Sequence, residues 1–145
     1  GSTLLVVGIQ ENWLLFYQVG DGDILYINQE NQPVFPFEQE EYSGLLTHSL
    51  CQSNHLDHVQ FLCRKSKTLP KQILLCTDGI RDSFGGSKER LLQFLKWMLQ
   101  QLRLEKTSFE KELTSWLEEL SLRGNGDDNT FALFYQQEGS PHDNA

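Results

Sequence analysis

Four consecutive apolar residues, Ile73 to Cys76, run straight into Thr77-Asp78-Gly79, and this junction constrains the fold more than any other stretch. An apolar run without alternation reads as a strand buried on both faces, so the chain must place material above and below it. At its end a carboxylate, Asp78, emerges from the core, and Gly79 lets the backbone turn. On local grounds alone, Asp-Gly after a strand is a turn. A second acidic turn, Gly124-Asn125-Gly126-Asp127-Asp128-Asn129, stands directly before another apolar strand, Thr130 to Tyr135. Two acidic strand ends in a small domain can bring carboxylates together, and hard cations such as Mg²⁺ or Mn²⁺ take oxygen ligands.

The 145 residues fit one domain with a real core, spanning 1–136 and followed by a polar, disordered tail over 137–145. Twenty acidic against 12 basic residues give a net charge of −8, which argues against nucleic acid or an anionic membrane as a partner. No apolar run approaches the ~20 residues of a membrane span, and no signal peptide opens the chain. Cys51, Cys63 and Cys76 form no close-pair motif, which fits a reducing, cytoplasmic setting, with Cys76 a small core residue.

In chain order, Gly1 to Ile9, Trp13 to Val19 and Ile24 to Asn28 read as three strands of an antiparallel meander, the last two joined by Gly20-Asp21-Gly22-Asp23. A core strand with no preamble suggests the later part of a longer chain, although Gly1-Ser2 also reads as a cloning remnant. On that reading the first strand pairs with a missing segment or with another chain. Gln29 to Gly44 is loop-like, Leu45 to Asp57 carries no clear pattern, and His58 to Arg64 alternates as a strand. From Ser87 the period becomes helical: Leu91, Leu95, Met98, Leu99 and Leu102 share a face, with Ser87 as N-cap. Thr107-Ser108-Phe109-Glu110 fits a capping box that opens a second helix, whose apolar face is Phe109, Leu113, Trp116, Leu117 and Leu120, ending at Gly124. Strands, a helix pair and one returning strand make an α+β layered domain.

Taken together, the apolar strand after Gly1-Ser2-Thr3, the turn Val19-Gly20-Asp21-Gly22, the run Leu74 to Asp82 and Asp127-Asp128-Asn129-Thr130 follow one order. That order and spacing resemble the metal-dependent serine/threonine phosphatases of the protein phosphatase 2C family, especially its bacterial branch, over Gly1 to about Tyr135. The resemblance implies an antiparallel β-sandwich flanked by helices. It also implies two Mn²⁺ or Mg²⁺ ions, whose bridging water attacks a phosphoserine or phosphothreonine of a protein substrate. By the same resemblance Asp78 is a metal ligand, and the family spacing selects Asp127, with Asp128 in the neighbouring place; the residues alone do not choose between these two. Asp82 matches an acidic position near the site, and Gly79 and Asp21 match turn or supporting positions. Gly22 stands where the family usually has serine. The family's earlier Asp-Gly motif and its phosphate-binding arginine have no counterpart here, so the expected domain is incomplete at its N terminus. Two carboxylates alone bind divalent ions weakly, since such ions need several more oxygen ligands.

Zinc is a poor fit: Cys51-x3-His55 and His58-x4-Cys63 match no tight pattern, and His58 and Cys63 fall on opposite faces of one strand. Gly85-Gly86-Ser87 precedes a helix without the lysine of a phosphate-binding loop. The expectation is a metal-dependent phosphoprotein phosphatase, this chain being a portion of it, with a non-catalytic phosphatase-like binding module as the alternative.

Overall fold

The computed structural model describes residues 2–37, 59–123 and 129–136, without the side chains of 105–107 and 123. Its elements are β1 (Leu4–Gln10), β2 (Trp13–Val19), β3 (Asp23–Ile27), β4 (Pro33–Val34), β5 (Gln60–Lys65), β6 (Gln72–Cys76), α1 (Asp78–Asp82), α2 (Lys88–Arg123) and β7 (Phe131–Tyr135). Two antiparallel sheets form, one in the order β1-β2-β5 and the other in the order β4-β3-β6-β7. The expected β2–β3 hairpin is therefore absent. The chain leaves the first sheet at Val19 and enters the second at Asp23, where β3 pairs with β6 rather than with β2. The reason is burial: every residue of β3 is buried, and a strand covered on both faces belongs in the middle layer.

Alternation assigns each face. Ile24, Tyr26 and Ile73 of the second sheet meet Leu14 and Phe16 of the first. Leu25, Ile27, Leu74 and Cys76 face the opposite way, onto Leu91, Leu95 and Met98 of α2. The order is thus sheet, sheet, helices, with Ile73 to Cys76 in the middle layer as its unbroken apolar run requires. Only the second sheet wears a helical layer among the described residues. The far side of the first sheet shows Leu4, Val6, Trp13 and Phe61, the last 58% exposed.

The crossing between sheets is tightly fitted. Gln18, buried, donates from Nε2 to the carbonyls of Gly20 (3.2 Å) and Gly22 (2.7 Å). Gly20 has φ +100°, open to glycine at no steric cost. A Cβ at Gly22 would lie 2.7 Å from the Cys76 carbonyl oxygen and 2.8 Å from Leu5 Cδ1. Gly22→Ala is expected to cost about 1–3 kcal/mol of overpacking, read by urea unfolding. An unchanged midpoint would mean that the sheets yield freely there.

One helical span, Lys88–Arg123, covers both predicted helices, so Thr107 does not open a separate element. No Gly or Pro interrupts the helical stretch there. Yet the rings of Phe94 and Trp116 stack 4.9 Å apart, and those of Trp97 and Phe109 lie 5.8 Å apart. A straight helix would hold Phe94 and Trp116 roughly 33 Å apart. α2 therefore doubles back between Trp97 and Phe109 and packs as a hairpin, which is what the two apolar stripes demanded. The N-terminus behaves as predicted: Ser87 Oγ accepts from Arg90 N at 3.3 Å. Gly124, Cys51, the segment 38–58 and the tail from 137 lie outside the described residues.

Candidate metal centre

Asp78 is the first residue of α1, where the buried strand β6 ends. The expected Asp-Gly turn is thus the first turn of a short helix. Thr77 precedes it in extended conformation and makes no side-chain cap bond to α1. Its polar groups turn instead to the start of β7. Thr77 N donates to Thr130 O at 3.0 Å, and Thr130 N donates to Thr77 Oγ1 at 3.1 Å. These bonds extend the β6–β7 ladder one pair beyond Cys76 and Phe131. The chain just after the second acidic turn is thereby fixed beside Asp78. Asp127 and Asp128 themselves lie outside the described residues.

The crossing between the sheets brings a third segment. The carboxyl group of Asp21 lies close enough to that of Asp78 for the two to interact. Thr3 Oγ1 donates to Asp21 Oδ1 at 3.2 Å. Burial pushes the acidity constant of Asp78 above its ordinary value, and the nearby Asp21 carboxyl pushes the same way. The amide of Gly79, donating to Asp78 Oδ1 at 3.0 Å, opposes this in part. Asp82, more exposed at the end of α1, adds a smaller upward push. Two carboxyl groups in such contact need a shared proton or a cation between them.

Below this pair sits an ion pair. Asp23, 3% exposed, receives Arg81 Nη1 at 3.0 Å on Oδ2 and 3.2 Å on Oδ1. Arg81 Nε lies 3.6 Å from Asp82 Oδ1. Burial holds Asp23 above its ordinary value even though Arg81 pulls it down.

Sequence reasoning placed Asp78 at the centre and treated Asp21 as a turn residue; the structure puts the two together. It passed over Asp23 and Arg81 altogether. The signal was the sheet register, which sets Asp23 opposite Cys76 and cannot be read before the pairing is known.

Whether these residues suit a divalent ion can be judged from the donors. All are oxygens, which hard cations prefer. Asn129 Oδ1, at the end of the second acidic stretch, is buried with no hydrogen-bond partner among the described residues. Against this, no three Asp, Glu, His or Cys side chains converge on one point among the described residues. The described part supplies a carboxyl pair and an unsatisfied oxygen, a fit that is right in kind and partial in number.

Residues 1–118 match the sequence pattern of the protein phosphatase 2C family. The chain belongs to that family. Among solved structures it is similar to the catalytic domain of the serine/threonine protein phosphatase PstP, determined in complex with two manganese ions. The likeness covers 90% of this chain at 21% identity, with a TM-score of 0.53. The chain spans 56% of the length of that relative. No curated protein matches it. Family membership accounts for the two antiparallel sheets and their helical layer.

Proposed function

We propose that this phosphatase 2C domain takes part in hydrolysing phosphoserine or phosphothreonine esters of proteins, with a divalent ion, Mn²⁺ or Mg²⁺, held at the Asp78 edge. The observation that carries this reading is the contact of Asp21 and Asp78, a carboxyl pair whose charge a cation would neutralise. Asp78 and Asp21 would hold the ion, with Asp127, or Asp128 beside it, completing the set. Asp82 stands nearby to orient water. A bound divalent ion supplies an activated water and neutralises charge on the phosphoryl oxygens. The chain's own contribution is to fix the carboxylates: Thr77 and Thr130 lock the two strand ends, and Gly79 N holds one oxygen of Asp78.

The test is Mn²⁺ binding followed by calorimetry, beside hydrolysis of an aryl phosphate with and without chelator. We expect saturable Mn²⁺ binding, displacement by excess Mg²⁺, and weak hydrolysis that chelator abolishes. Hydrolysis indifferent to chelator, or no Mn²⁺ binding at all, would remove this reading. Binding without any turnover would favour a phosphatase-like binding module.

A further inference from the structure

The carboxylates at the Asp78 edge come from segments far apart in sequence, and something must hold them against their mutual repulsion. α1 cannot do so alone. It has five residues, too few to be stable by itself, and no side-chain cap at Thr77. Ile80, fully buried, anchors one side of it in the core. The other side is held by Arg81, whose Nη1 sits between both oxygens of buried Asp23.

The placement of this pair is specific. Asp23 lies two residues after Asp21 and opens β3; Arg81 lies three residues after Asp78 in the same short helix. The ion pair thus ties together the two segments that carry the facing carboxyls. We propose that Asp23 and Arg81 act as a positioning pair, clamping the Asp21 segment to α1 so that Asp78 and Asp21 stay close enough to share a cation. This rests on the metal reading above for its use, but the clamp itself is a claim about α1.

Two simpler roles predict different results. A plain stability role would lower the melting temperature and leave Mn²⁺ affinity of the folded protein unchanged. A plain charge role has the opposite sign for metal: removing the cation of Arg81 would tighten binding of a dication. The variant Asp23→Asn/Arg81→Gln removes one charge of each sign, so local net charge is kept and no buried carboxylate is left unpaired. A clamp predicts Mn²⁺ binding about 10–100-fold weaker in this variant, the usual loss when a group orienting metal ligands is removed. Arg81→Lys, which keeps the charge and part of the reach, should recover some of it.

Hydrogen exchange supplies the arm that needs no metal. In the double variant the amides of Ile80 and Ser83, bonded to the carbonyls of Thr77 and Gly79, should exchange at least about 10-fold faster, while those of β3 and β6 stay protected. Wild-type Mn²⁺ affinity in the double variant, or exchange that rises equally everywhere, would overturn the clamp. Absence of Mn²⁺ binding in the wild-type chain would instead overturn the metal reading, and the exchange of α1 then decides the clamp alone.

Discussion

Asp78→Asn is expected to weaken Mn²⁺ binding by more than about 10-fold and to cut any metal-dependent turnover by roughly 100-fold or more, since a misplaced or missing ion leaves water unactivated. Asparagine is nearly isosteric, and the backbone bonds at Thr77, Thr130 and Ile80 do not involve the lost charge, so the fold should persist. Its stability should even respond in the other direction. The acidity constant of Asp78 is raised in the folded state by burial and by Asp21. The fold therefore holds the proton more tightly than the unfolded chain does. This stabilisation is fully present below the ordinary carboxylate value and is lost as pH rises through the raised one. Without divalent ion, the wild-type chain should lose stability as pH rises above the ordinary carboxylate value, and Asp78→Asn should flatten that slope. Thermal melts against pH in chelator, set beside calorimetric Mn²⁺ titrations, read both effects. A variant with wild-type metal affinity and an unchanged pH profile would show that Asp78 is not at the site.

Phe94→Ala should be the most damaging single core change. Its ring, 5% exposed, meets Trp116 at 4.9 Å, Phe84 at 5.4 Å, Trp97 at 6.1 Å and, edge-on, Phe131 at 6.1 Å. It thereby joins both limbs of α2 to the loop after α1 and to β7. Removing a buried Phe costs about 3–5 kcal/mol, which corresponds to a fall in melting temperature of roughly 10–20 °C for a domain of this size. Leu122→Ala, at an exposed position of α2, is the control and should change little. A drop of only a degree or two for Phe94→Ala would mean that the limbs do not depend on this stack.

Much of this architecture was legible in the residues. The unbroken run Ile73 to Cys76 required a middle layer, and it lies in one. The leucine stripe from Leu91 and the stripe from Phe109 required two packed helical faces, and the two limbs of the α2 hairpin provide them. Where reading failed, the cause was non-local. Nothing in Gly20-Asp21-Gly22 says whether the chain turns back on its neighbour or steps into a second sheet; the full burial of β3 decides it. The pairing of Asp21 with Asp78 follows from that step, so a residue read as part of a turn became part of the site. Asp23 and Arg81 look like ordinary surface charges in sequence, and only the register of β3 against β6 buries one against the other.

The Thr77–Thr130 bonds join residues 53 apart in the chain, and the Asp23–Arg81 pair joins residues 58 apart. Closing loops of that length costs entropy that only extensive packing repays. The α2 hairpin is made of near neighbours and can form early, whereas the edge that gathers the carboxylates exists only once both sheets have met. If the proposed site holds a divalent ion, that ion would have nothing to grip in the nascent or partly folded chain and would not template its assembly. Its effect on folding would come at the last step, drawing the equilibrium toward a sandwich already built.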